Sequence, residues 1–432
     1  MNPNLHTRAS IVLALIGGLA CNVESSANDD QPVKIHPSAN TADAGDAASS
    51  EPSVSGFVVV HSDFRTSSVS VVDVAGKILS DSLLSSGSKS PGISQALGED
   101  VVVPSSLQAG NTIVLIDRTH NVIDWVSLDT AKVTKQVEVG TEMFASNPYD
   151  YLPISASKAY VSRYETNAKA GETDFDGGGD LLIIDPSQGK LTGSIELEAA
   201  LGDDKGDVEP RPDTIVRAGN TVFTMLAAIS ADFVTYAESR MVSIDSAKDE
   251  VTGTLVFAGL KNCGQVVVSP DQTHLAVSCW GTWSPDVPTD AAIVLVDISG
   301  AKPKIEKTFA ASKLGAQPNT VEFLSDDTLL YSTYGAMDTD GNTTINDEVR
   351  TLHLADGKIS KEPVLEGAAF TIADMRCVVE SGLCVVADAG PDGGVLQYLT
   401  FDAKGGVKKK TVAIPGANGL PPRYLTTFGP AQ

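Results

Sequence analysis

The chain has 432 residues, 42% of them hydrophobic and 20% charged, with a formal net charge of −24 and an isoelectric point near 4.5. That much apolar material can fill a large core and excludes disorder of the whole chain. An acidic balance this strong repels phosphate backbones and anionic lipid surfaces, and no basic patch offsets it, so nucleic acid is not an expected partner.

In chain order the first feature is Arg8 followed by an apolar run over residues 11–20, too short to span a bilayer and suited to an export leader. The sequence Gly18-Leu19-Ala20-Cys21 resembles the lipobox of bacterial lipoproteins, with Gly18 where that family usually has Leu. The resemblance implies a signal peptide over 1–20, cleavage before Cys21, lipid on its thiol and, with Asn22 next, anchoring in the outer membrane. The alternative is an ordinary leader cut after Ala27, behind the small residues Ser25 and Ala27. Residues 21–55 are rich in Ser, Ala, Asp, Asn and Pro and carry no apolar periodicity, which predicts a disordered tether reaching roughly 30 Å.

From residue 56 to 432 one pattern recurs. An apolar stretch stops at an aspartate, turns on small residues and continues as a second strand-like segment: VVDVAGKILSDSLL at Asp73, then copies at Asp129, Asp185, Asp245, Asp297, Asp356 and Asp402. Spacings of about 45 to 60 residues are those of propeller blades. The third copy extends backwards into a four-strand unit over 148–154, 158–163, 181–185 and 191–197. Further innermost strands are predicted at 212–217, 263–268, 319–324 and 371–379, with x-Pro pairs such as Arg211-Pro212 and Gln317-Pro318 forcing an extended entry. The segment 56–84 supplies only three strands, and 423–428 supplies a lone inner one after Pro421-Pro422. The expectation is an all-β chain of seven four-stranded antiparallel blades, closed by the C-terminal strand joining the N-terminal blade. Residues 99–139 form the unit of least certain register, because the Gly110-Asn111 turn fits two alignments. The basic run Lys408-Lys409-Lys410 falls on a predicted outer strand as a solvated edge.

On this strand pattern the region 56–432 resembles the bacterial YVTN and lactonase-like seven-bladed propellers, and with its lipobox the chain resembles propeller lipoproteins of the bacterial envelope. Export signals on a ring scaffold without a recognisable active-site motif point to a binding or scaffolding module, and the lactonase likeness implies, alternatively, a hydrolase with acid, base and substrate-binding groups at the channel mouth. His61, Asp150, Arg163 and Arg376 are the residues placed to reach that channel, and an Asp150–Arg163 pair across the third blade is the structural alternative.

Four cysteines fall in the folded region as two local pairs. Cys263 and Cys279 flank a hairpin turning at Pro270-Asp271, and Cys377 and Cys384 flank one turning at Glu380-Ser381. Both registers place the sulfurs opposite one another, which predicts two cross-strand disulfides and an oxidising compartment.

Long insertions are predicted on one face only, where the second-to-third and blade-to-blade loops gather, and loops of that kind carry binding function. In the sixth unit Asp338, Asp340, Asn342 and Asp347 resemble a calcium loop, so Ca²⁺ is a possible cofactor there. Asp174, Asp176 and Asp180 form a second acidic cluster. Trp280 and Trp283, in CWGTW, are either an exposed surface for a protein, glycan or small-molecule ligand or a cap on the blade core.

Overall fold

The computed structural model describes residues 54–89, 96–141, 143–283, 287–390, 394–402, 405–414, 416 and 419–430. The leader, Cys21 and nearly all of the tether lie outside the described residues. The rest is a seven-bladed β-propeller of four-stranded antiparallel sheets.

Each blade packs both faces against its neighbours, and this accounts for the two kinds of strand in the sequence. Central strands are covered on both sides and read as unbroken apolar runs, as in Gly178–Asp185, where every residue is buried. Outermost strands have a wet side and alternate, as in Lys304–Ala310, KIEKTFA.

The recurrent aspartate has a local cause. It caps the turn between third and fourth strands by accepting backbone N–H groups two to four residues on: Ala75 and Lys77 at Asp73, Ser187 and Gln188 at Asp185, Ala247 at Asp245, Ser299 at Asp297, Lys358 at Asp356 and Gly406 at Asp402. In the second blade Ser127 Oγ does this by accepting Thr130 N–H, and Asp129 instead accepts from Asn111 Nδ2.

Ring closure follows the predicted topology. Pro422–Gly429 is the innermost strand of the first blade, beside Gly56–Ser62, with Val58 opposite Thr426 and Val60 opposite Tyr424. A short parallel pairing of Phe428 with Gln108 and Gly429 with Ala109 fastens the same strand to the second blade. The uncertain second unit resolves with Val101–Val102 as its innermost strand and with Gly110-Asn111 turning into Thr112–Asp117.

Both disulfides form, Cys263–Cys279 and Cys377–Cys384, each between directly opposite residues. The turn between Cys377 and Cys384 differs from the two-residue expectation. Val379–Ser381 makes a single 3₁₀ turn and Gly382 adopts φ 61°, so the connection has four residues with the register unchanged. Lys408, Lys409 and Lys410 are exposed on the outermost strand Val407–Ala413.

Candidate binding site at the channel mouth

Innermost strands run from the long-loop face towards the opposite face, so their first residues rim the channel on the long-loop side. At that rim Tyr149 of the third blade, Asp213 of the fourth, and Arg423 and Tyr424 of the first come together. Arg118 and Tyr334 join them from the ends of second strands. All six are embedded among protein atoms yet keep partial solvent exposure, as walls of a channel do.

Arg118 lies over the rings of Tyr149 and Tyr424, 5.0 and 6.0 Å from their centroids, and bonds to Asp100 Oδ1 at 2.6 Å and Tyr424 Oη at 3.4 Å. Burial alone would lower its guanidinium, but Tyr424, Asp100 and Tyr149 outweigh burial and hold the charge. The other face of Tyr149 stacks on Tyr164, centroids 4.4 Å apart. Tyr334 is wedged between Trp280 and Phe370, at 5.9 and 5.4 Å, and lies within electrostatic reach of Tyr424 and Arg423. Burial pushes the Tyr149 and Tyr334 phenols above their ordinary range, so both are hydroxyl donors at neutral pH. Burial also raises Asp213 to about 6. Its carboxyl sits against Gly264, where a Cβ would come within 2.5 Å of Asp213 Oδ2 and displace it.

Below the rim, polar side chains of one innermost strand cap the channel-facing amides of the next. Asp150 accepts from Ser105 N–H and Oγ in the second blade and from Ile215 N–H in the fourth. Gln265 Oε1 accepts Val321 N–H, and Asp374 accepts Leu425 N–H. These edge amides have no fifth strand to pair with, and the caps satisfy them.

The residues proposed from sequence for chemistry are distributed differently. Asp150 does not pair with Arg163: the bulged register sets Asp150 opposite Ser162 and Arg163 opposite Pro148. Arg163 is buried and bidentate to Asp180, at 2.8 and 2.5 Å, and donates to the carbonyls of Val139 and Phe175, so it anchors the long loop of the third blade. His61 is fully buried, with Nδ1 at 3.1 Å from Leu420 O and its ring against Gly416; burial lowers it to about 4 and keeps it neutral. Arg376 lies deeper in the channel, on Asp374 at 2.8 Å and Glu322 at 3.4 Å.

In the sixth blade Asp338 Oδ1 accepts from Asp340 N–H and Asn342 N–H at a hairpin tip. Asp347 is fully buried and accepts four amides, from Gly335, Phe370, Thr371 and Ile372. Asp176 likewise accepts Gly171, Glu172 and Thr173 N–H in a shallow polar depression beside Ser194 and Glu196. These oxygens are committed to backbone, and among the described residues no group of three His, Cys, Asp or Glu side chains converges as a metal site does. Trp280 is tied in by Nε1 to Asn319 O, whereas Trp283 stands 65% exposed.

Sequence reasoning missed three features. Arg118, Tyr334 and Arg423 carried no motif, because they meet only when distant blades close the ring. Of the exposed apolar side chains, Phe64, Met143, Phe175, Val234, Trp283, Met337 and Ile345 stand on the long-loop face, a grouping that loop lengths alone did not show, while Val74, Ile78 and Val251 lie at or beside opposite-face turns. His120 was also passed over. Its Nδ1 is 2.8 Å from the buried Asp117 carboxylate, which fixes the partly exposed ring, one residue beyond Thr119 and two beyond Arg118.

No protein-family model matches the sequence, and no curated protein sequence is detectably similar to it. Solved structures share its fold. A protein assigned as a 6-phosphogluconolactonase of Bacteroides fragilis superposes with a TM-score of 0.54 at 11% identity, covering 88% of this chain and 99% of that one. A protein of unknown function from Desulfotomaculum acetoxidans gives 0.51 at 13%, covering 87% and 99%. The periplasmic gluconolactonase of Pseudomonas aeruginosa gives 0.50 at 12%, again covering 87% and 99%.

Proposed function

We propose that this chain is an exported propeller of the bacterial envelope, held by lipid on Cys21 through the 21–55 tether, whose work is to bind a ligand at the long-loop mouth of its channel. The observation that carries the reading is the convergence of Tyr149, Tyr334, Tyr424, Arg118 and Arg423 at one rim, on the same face as the exposed apolar side chains. Two disulfides and the likeness to a periplasmic propeller support export. Mass spectrometry of the mature N-terminus tests the anchor: a diacylated Cys21 is expected, and an unmodified terminus beginning after Ala27 would contradict it.

For binding, the test is an array of envelope glycans and small organic ligands probed with residues 54–432. Binding lost on Tyr334→Phe with Trp283→Ala, and kept on Lys248→Ala at an opposite-face turn, is the expected result. Binding indifferent to the mouth variants would refute the assignment.

A second reading, a lactone hydrolase, draws on His120 held by Asp117 beside Arg118, together with the lactonases among the structures sharing the fold. The same preparation assayed on δ-gluconolactone separates the two. Turnover abolished by His120→Asn would favour the hydrolase, and hydrolysis no faster than in buffer favours binding.

A further inference from the structure

Among the described residues, Arg423 is the cation of the mouth with no carboxylate ion pair. Its Nε donates to Ser62 O at 3.3 Å and its guanidinium lies 5.4 Å from the Phe64 centroid. Among the described residues no carboxylate pairs with it; Asp63 acts on it only from a distance, and both Asp63 Oδ1 bonds to backbone hold that carboxylate in its own turn. Arg118, by contrast, is matched by Asp100, Arg163 by Asp180, and Arg211 by Glu165 and Glu209. Burial, opposed by Tyr424, Tyr334 and Asp63, lowers the guanidinium pKa of Arg423, the mark of a charge held partly out of water.

The rim phenols within electrostatic reach of Arg423, Tyr334 and Tyr424, are donors, and Tyr149 stands beside them on Arg118. Tyr334 Oη makes no hydrogen bond within the protein among the described residues, and neither does Tyr149 Oη, while Tyr424 Oη accepts from Arg118 and keeps its own proton to donate. Arg118 and Tyr164 lie on the Tyr149 ring and Arg423 lies over Phe64, so hydroxyl tips and guanidinium edges are the polar groups that remain for a ligand. A guanidinium with no carboxylate partner among the described residues, within reach of the Tyr334 and Tyr424 phenols that keep protons to donate, suits an acceptor-rich group of negative charge.

We infer that the rim between Arg423, Tyr334 and Tyr424 is an oxyanion site, which seats the carboxylate, sulfate or phosphate group of a small ligand. The inference rests on the mouth being the working site and names the chemical class of what enters it. Arg423 takes the anionic oxygens in plane, Tyr334 and Tyr424 donate hydroxyls to them, and the aromatic walls exclude water around the contact. In a chain of net charge −24 such a site selects small anions that reach the rim and turns away extended polyanions.

The test is calorimetric titration of residues 54–432 with sodium acetate, sodium sulfate and sodium phosphate, each at constant ionic strength against chloride. Saturable binding of at least one anion is expected, weakened at least tenfold by Arg423→Gln and about threefold by Tyr334→Phe, with Arg423→Lys intermediate. The three salts separate carboxylate from tetrahedral-anion chemistry. Absence of saturable binding with every anion, or equal affinity in Arg423→Gln, overturns the inference. Should Arg423→Gln fail to fold, unchanged affinity in a Tyr334→Phe, Tyr424→Phe double variant overturns it equally, and a loss supports it. The two readings fail separately. Array binding that ignores Arg423→Gln removes only the oxyanion, and acetate binding without any array ligand removes only the envelope ligands tested.

Discussion

Asp124 shows how far burial governs single residues here. It lies on the third strand of the second blade, fully buried, with Gln136 as its partner and, among the described residues, no cation paired with it; burial raises its carboxyl to about 8. An unfolded aspartate releases its proton near ~3.9. The native state therefore holds an extra proton between these values, and stability falls as pH rises through the window. Asp213, at about 6, and Glu322, at about 7, act in the same direction but are exhausted sooner. His61, lowered to about 4, acts oppositely, since the native state excludes a proton that the unfolded chain binds below about 6.5. Above pH 7 Asp124 dominates. The thermal midpoint should fall from pH 7 to 9, and Asp124→Asn should remove most of that slope, by on the order of 1 kcal/mol or more. Parallel slopes for variant and parent would show that Asp124 is ionised throughout.

At the scale of elements the loops of the long-loop face are held by carboxylates that collect amides. Asp347, at the start of the third strand of the sixth blade, takes N–H groups from Gly335 on one side and from Phe370, Thr371 and Ile372 on the other. Those residues flank Tyr334, so the cap sets the position of a rim tyrosine. Asp347→Ala leaves four amides without their acceptor and should cost on the order of 3 kcal/mol in urea unfolding. It should also weaken ligand binding at the mouth, although Asp347 touches no ligand. Loss of stability with full binding would mean that the rim does not depend on this cap. The sequence singled out this aspartate for its carboxylate, and the backbone role was not legible there, because alternating carboxylates read alike whether their oxygens meet a cation or a turn's own backbone. Asp176 likewise collects three backbone amides that its sequence context did not announce.

Across the whole molecule, the strand pattern was legible because it is local: a capped turn at each aspartate, apolar central strands, alternating outer strands and two cysteine pairs in register. Ring closure was legible from arithmetic on the terminal strands, which made Tyr424 a neighbour of Val60. The site was not legible by these means. Arg118, Tyr149, Tyr334 and Arg423 come from four different blades, and only closure brings them together. Asp150 and Arg163 were chosen because they stand on strands near the channel, yet bonds to neighbouring blades and to Asp180 fully occupy them. A polar residue near an axis is as readily a clamp between blades as a reactive group, and strand position alone does not distinguish the two.

The measurement that bears most directly on the mouth as the working site is amide hydrogen exchange of residues 54–432, with and without saturating acetate at fixed ionic strength. Protection is expected over 62–66, 118–121, 334–337 and 422–425, with the opposite-face turns at 156–157, 219–220 and 270–273 unchanged. Protection confined to those turns, or none at the rim while anion binding is saturated, would contradict the account.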